Sequence, residues 1–173
     1  MSKIMSAAEA VSLLKDDDTL CIVGFIGSVL PQELIVALEK RFLETGSPRD
    51  LTLHFCTGGG DGDQRGENAL AHEGLLKRIV GGHFGLVPQL QKMIAENKVE
   101  GYNLPLGTIG HLYRDIAGGR LGTVTHVGLK TFVDPRLEGG KMNARTSEDL
   151  VELVNIAGAE RLLYKAQHLD VAF

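Results

Sequence analysis

The chain has 173 residues, a formal net charge of −4, 43% hydrophobic and 23% charged residues. That is ordinary globular composition for a single domain. Aromatic residues are only 5% and no basic stripe forms, which argues against a nucleic-acid surface. No apolar run reaches membrane-spanning length, and MSKIMSAAEAV lacks the apolar core of a secretory signal, which predicts a soluble, cytoplasmic protein with no membrane partner.

The 22 glycines lie between apolar blocks, so they predict tight turns rather than disorder. Cys21 and Cys56 are too few for a disulfide framework and read as small buried residues in a reducing compartment.

In chain order, Ser6 to Glu9 is a capping box that opens a helix through Lys15, broken by Asp16 to Asp18. Residues 19–23 form a first strand. A helix from Pro31 to about Thr45 puts Leu34, Ile35, Leu38 and Phe42 on one face, and Gly46 suits its C-terminal end. LTLHF, 51–55, is a second strand, followed by the polar glycine loop TGGGDGDQRGEN. RIV, 78–80, is a short strand ending at Gly81-Gly82. A helix over 86–97 turns Val87, Leu90 and Ile94 inward, and 101–104 is extended before Pro105. The next helix carries Ile109, Leu112, Tyr113 and Ile116 and ends at Gly118-Gly119. VELVNI and RLLYKA, joined by AGAE, alternate as a β-hairpin, and HLDVAF is a last strand.

Strands alternating with helices predict a three-layer α/β/α fold on a mainly parallel open sheet. Because the last strand reads as buried with no capping segment after it, the domain is expected to be incomplete at its C-terminus, residues 1–173 being the N-terminal portion of a longer chain.

The segment from Gly24 and Gly27 to Pro31 is the main candidate site. Glycine permits close approach to a ligand, and a helix N-terminus presents unpaired N–H groups, so a strand–glycine loop–helix unit suits an anion or a thioester; the same pattern also serves as a plain connection. The dinucleotide fingerprint, the P-loop and the nucleophile elbow are all absent. Asp61-Gly-Asp63 fails the calcium-loop template, with Arg65 and His72 where acceptors are required, and reads as a solvated turn. The six histidines form no i, i+4 pair and no cluster with cysteine, so no metal site is expected. His83, just past the Gly81-Gly82 strand end, is the one histidine expected near a ligand crevice.

DDTLCIVGFIGSVLPQELIVAL resembles the N-terminal signature of family I CoA-transferases. Gly24-Phe25 and Pro31 match that pattern, while Asp17, Val23 and Val29 stand where the family has glycine. GGHFGLVPQLQKMI, NLPLGTIGHLYRDIAGG and THVGLKTFVDPRLEGGKMN extend the likeness over essentially the whole chain, the last block being close to the acetate/propionate branch.

The resemblance implies ping-pong acyl transfer, in which a Glu attacks an acyl-CoA, passes through a mixed anhydride and becomes a glutamyl-CoA thioester that a second carboxylate resolves. Coenzyme A is then a substrate and no cofactor is expected. The implied partners are an acyl-CoA, a short-chain carboxylate, the missing C-terminal half that supplies the Glu, and further copies of the chain in a homo-oligomer. Gly24, Phe25 and Gly27 are expected to shape a backbone pocket, with Asn103, Leu106 and Gly107 as its far wall. Leu106 departs from the family, which commonly has Gln there; Leu offers no hydrogen bond to a carboxylate or thioester oxygen, so the substrate is held differently or the acyl pocket is more apolar. Glu73, Glu100 and Glu138 precede glycines outside the family's catalytic context and read as loop or turn residues. By itself the chain is expected to be inactive. The alternatives are a non-catalytic binding or assembly fragment, or part of an acyl-CoA hydrolase.

Overall fold

A computed structural model describes residues 4–173. Ser6 caps α1 (Ala7–Val11) reciprocally: its hydroxyl accepts the Glu9 N–H at 3.3 Å, and the Glu9 carboxylate accepts the Ser6 N–H at 2.7 Å. The helix stops at Val11, short of the expected Lys15, because Arg41 reaches over from the next helix and donates to the carbonyls of both Val11 and Leu14. Those carbonyls no longer need a continuing helix to satisfy them.

Parallel strands follow where the apolar runs lie. β1 (Thr19–Ile22) leads through a loop to α2 (Gln32–Thr45), whose C-cap Gly46 takes φ 70°. β2 (Leu51–Phe55) is buried at all five positions, as a strand covered on both faces must be. A short 3-10 helix (Gly66–Leu70) precedes β3 (Leu76–Gly81), α3 (Pro88–Ala95), β4 (Glu100–Asn103) and α4 (Leu106–Ala117). The four strands and the two-residue β8 (Val171–Ala172) form one parallel sheet in the order β4-β3-β2-β1-β8.

Register sorts the core into two faces. Leu20, Leu53 and Ile79 share one row, and Ile22, Phe55, Gly81 and Asn103 another on the same face. The large side chains of these rows pack on Val11, Leu14, Ile35, Leu38, Leu90 and Ile94 from α1, α2, α3 and the turn after α1. Gly101 completes the first row because a Cβ there would lie 2.6 Å from Ile94. The opposite row, Cys21, His54, Val80 and Tyr102, faces α4. Val80 and Tyr102 join Ile109 and Leu112 of α4 and Leu162 and Tyr164 in a second core. The molecule is thus an α/β fold with a mainly parallel sheet covered on both sides.

The hairpin forms as expected, from β6 (Val151–Ile156) and β7 (Ala159–Lys165), but it does not lengthen the parallel sheet. It pairs with β5 (Gly122–Thr125), a strand the sequence reading left unassigned, in a separate antiparallel sheet ordered β5-β7-β6. The outer edge of β4 is already occupied: Asn103 N–H donates to Gly140 O at 2.8 Å and Met142 N–H to Gly101 O at 2.9 Å. Glu100 is a correction to the sequence reading. It opens β4 rather than lying in a turn, and its carboxylate holds the Arg78 guanidinium on the neighbouring strand.

Candidate active site

The parallel strands end together. Ile22, Phe55, Gly81 and Asn103 form the last paired row, so the loops that follow them converge on one edge of the sheet. In parallel α/β sheets that edge holds the ligand crevice.

After β1 the chain makes a tight hairpin: Phe25 N–H donates to Ser28 O at 3.0 Å and Ser28 N–H to Phe25 O at 2.8 Å. Ile26 and Val29 adopt positive φ, 56° and 59°. For β-branched residues that conformation is strained and persists only where surrounding contacts hold it. The Val29 side chain adds little, being 88% exposed, and the backbone carbonyl of Ile26 is held instead. Pro31 is the N-cap of α2 rather than its first helical residue.

The hairpin rests on a glycine platform built by the loop after β2. Gly60 N–H donates to Ile26 O at 2.8 Å, and Ile26 bridges to Gly59. Here glycine is obligatory. A Cβ on Gly60, at φ 133°, would lie 2.1 Å from Arg65 O, and one on Gly66, at φ 67°, 1.9 Å from Gly59 O. Beneath the platform the Glu67 side chain is fully buried, and its Oε2 accepts the Gly59 N–H at 2.6 Å. Its Oε1 has no hydrogen-bond partner among the described residues. Burial pushes the Glu67 carboxyl up to about 7, against the lowering effect of its backbone hydrogen bonds. Asn68 ties the platform to α3, donating to Leu86 O at 2.9 Å and accepting the Gln89 N–H at 3.1 Å. Asp61 behaves as the solvated turn expected of it, its exposed carboxylate accepting the N–H groups of Asp63, Gln64 and Arg65.

The opposite side of the crevice is the start of α4. A Cβ on Gly82 would fall 2.8 Å from Leu106 Cα and 2.5 Å from Cys56 O, so the helix end sits directly on the loops after β2 and β3. Thr57 Oγ1 donates to Gly24 O at 2.7 Å, which makes one continuous rim from Gly24 through Thr57, Cys56 and Gly82 to Leu106. Leu106 is 42% exposed, and α4 has no side-chain cap, leaving its first N–H groups free. Asn103 closes β4, with a long contact of 3.4 Å from Nδ2 to Gly82 O.

Two expected residues stand apart in their demands. Gly27, at the hairpin tip, and Gly107, in the first turn of α4, have nothing within 4 Å of a built Cβ and no positive φ. Gly27 lines an open pocket of about 290 Å³ with Ile26, Leu30, Gln32, Gly60, Asp61 and Arg65, on the α2 side of the hairpin. The His83 backbone belongs to the rim, its carbonyl accepting the Gly58 N–H at 3.0 Å, while its exposed ring folds over Gly85.

Nothing on the rim is a ready nucleophile. Burial, reinforced by Cys21, pushes the Cys56 thiol up to about 11, so it stays protonated at neutral pH. Glu67 is sealed beneath Gly59 where no substrate atom reaches it. Among the described residues no group of three His, Cys, Asp or Glu side chains is placed to hold a metal ion, and no helix is long and apolar enough to cross a membrane. The sequence reading missed Glu67, Asn68, Gly59, Gly60 and Gly66. The density of glycines in TGGGDGDQRGEN was the available signal, and it reads equally well as a flexible loop.

Comparison with known proteins gives the same answer along the whole length. The family model described as coenzyme A transferase matches residues 4–173. A caffeate CoA-transferase of Acetobacterium woodii is 44% identical over 172 residues, covering 99% of this chain and 33% of that protein. The acetate CoA-transferase YdiF of Escherichia coli K12 is 41% identical over 171 residues, 98% of this chain and 32% of the relative. The crystal structure of the E. coli O157:H7 acyl-CoA transferase YdiF, a thioester complex with CoA, superposes with a TM-score of 0.91 at 40% identity, covering 97% of this chain and 33% of that one. This chain spans about a third of the length of these relatives, and it belongs to the coenzyme A transferase family.

Proposed function

We propose that the chain forms the acyl-CoA-binding portion of a CoA-transferase that moves CoA between an acyl-CoA and a short-chain carboxylate. The observation that carries this reading is the rim from Gly24 through Thr57, Cys56 and Gly82 to Leu106, a crevice floored by backbone whose named residues include no carboxylate. A site of that kind can hold a thioester and stabilise an oxyanion through N–H groups, but it cannot form a glutamyl-CoA adduct. In this reading the nucleophilic Glu is supplied by polypeptide outside these residues; the relatives are about three times as long as this chain. Coenzyme A acts as substrate, Gly24 and Phe25 form one wall, Asn103, Leu106 and Gly107 the other, and Gly27 and His83 lie at the margins. A homo-oligomer and a cytoplasmic location belong to the same reading.

The test is CoA transfer from acetyl-CoA to propionate. The isolated chain should bind acyl-CoA in calorimetry without turnover, and a longer version should yield a borohydride-trapped glutamyl-CoA adduct. Robust turnover by residues 1–173 alone would overturn the assignment, as would an absence of any CoA binding.

A further inference from the structure

Glu67 is a fully buried carboxylate with no cationic partner among the described residues, and the transfer chemistry leaves it unused. It lies directly under the platform that supports the strained hairpin. Its Oε2 holds Gly59; Gly59 bridges to Ile26; and Gly60 donates to the Ile26 carbonyl. Gly66, one residue before it, is fixed from the other side by Gln32 of α2, whose Oε1 accepts the Gly66 N–H at 3.0 Å. Glu67 Oε1, by contrast, is buried and empty-handed.

An ionised carboxylate in that position is fully buried with one oxygen that no described protein group hydrogen-bonds, a costly state. Two events relieve it: the carboxyl takes a proton, or the platform opens and lets water in. We propose that Glu67 is a positioning residue that acts as a proton-operated latch, keeping the Gly59–Gly60 platform and the Phe25–Ser28 hairpin closed while protonated and loosening them when ionised. The functional consequence, a closed acyl-CoA wall in the protonated state, rests on the reading of this crevice given above.

No neighbouring charge competes for the role. The hairpin has no titratable side chain. On the platform loop the Asp61 carboxylate is exposed and satisfied by three backbone N–H groups, and Arg65 is exposed. From α2 come the exposed Glu33 and the Glu39–His72 pair at 3.0 Å, and from α3 the exposed Lys92. Burial is the largest influence on Glu67, followed by backbone hydrogen bonds from its own N–H and that of Gly59. A hydrated Glu67 in the open platform would ionise near its ordinary 4.5, and the closed one near 7. Linkage then makes the opening constant rise between those values and level off above, by roughly 70-fold from pH 5 to pH 8.

The experiment is amide hydrogen exchange by NMR on ¹⁵N-labelled protein at pH 5 to 8, corrected for intrinsic exchange, with Glu67→Gln alongside. Gln keeps an oxygen for the Gly59 N–H and cannot ionise. Wild type should lose protection at Gly59, Gly60 and Ile26–Ser28 as pH rises to about 7, while Glu67→Gln stays protected throughout. Flat wild-type protection, or an unchanged pH dependence in Glu67→Gln, overturns the latch. If the variant fails to fold, the ¹³C carboxyl titration of wild-type Glu67 decides: a midpoint near 4.5 overturns it and one near 7 supports it. Acyl-CoA affinity is measured over the same pH range. Complete absence of binding would sink the crevice reading while leaving the amide result standing, so the two failures are distinguishable.

Discussion

Replacing Gly66 by Ala tests whether the glycine platform is as tightly built as its geometry implies. At φ 67° an Ala must enter the left-handed region, and its Cβ would stand 1.9 Å from Gly59 O and 2.7 Å from Gly60 Cα. The conformational penalty is about 1 kcal/mol, and forcing backbone apart in a packed region adds about 1–3 kcal/mol. A loss near 3 kcal/mol corresponds to a fall in Tm of roughly 6–12 °C in a domain of this size. Thermal unfolding followed by circular dichroism reads it directly. Gly27→Ala is the control: nothing lies within 4 Å of that Cβ and its φ is not positive, so its stability should stay within about 1 kcal/mol of wild type. Equal melting of Gly66→Ala and wild type would refute the close approach of the 3-10 helix to Gly59.

Gly24→Val crowds Leu30, whose Cα lies 3.2 Å from a built Cβ; acyl-CoA binding should be lost while the far-ultraviolet spectrum is retained, and normal binding would remove Gly24 from the pocket. Leu106→Gln changes a 42% exposed side chain, so stability should hardly move; competition assays should show a shift toward small polar acyl groups by about tenfold, one good hydrogen bond's worth. His54 and Glu67 should oppose each other under acid. Burial lowers His54 to about 4, so its contribution to stability is lost as pH falls from 6.5 toward 4. Glu67, raised from 4.5 to about 7, contributes most below 4.5 and loses that contribution as pH rises through 7. Each is worth about 3 kcal/mol at most. Glu67→Gln should therefore unmask a steeper loss of Tm between pH 6.5 and 4.5 than wild type shows, and a parallel wild-type curve would contradict the buried carboxyl.

Much of the architecture was legible from local pattern. The run Leu-Thr-Leu-His-Phe, apolar at alternate positions, marked β2, the Ser6–Glu9 box marked α1, and the AGAE turn between alternating runs marked the hairpin. Such patterns report how a segment buries its own face, so they carry over to the fold directly. They do not name the partner. VELVNI alternates identically whether it extends the parallel sheet or pairs within a second one, and only the strap of Gly140–Met142 along β4 decides between them.

The same limit governs the site. Gly24–Pro31 stood out in the sequence because a strand end, glycines and a helix start are neighbours in the chain. Gly27 and Gly66 look alike in sequence, yet only Gly66 faces a backbone oxygen at contact distance. Nor does a Glu in a polar glycine loop announce burial. Glu67 acquires its environment from Gly59, eight residues away, and from α2 and α3, which pack against the 3-10 helix around it. The sequence by itself determined most of the elements, because periodicity, caps and turn residues act within a few positions, and its motif blocks pointed to the family. The tertiary structure alone decided which glycines are obligatory and that Glu67 is buried, because desolvation depends on atoms the chain brings together only by folding.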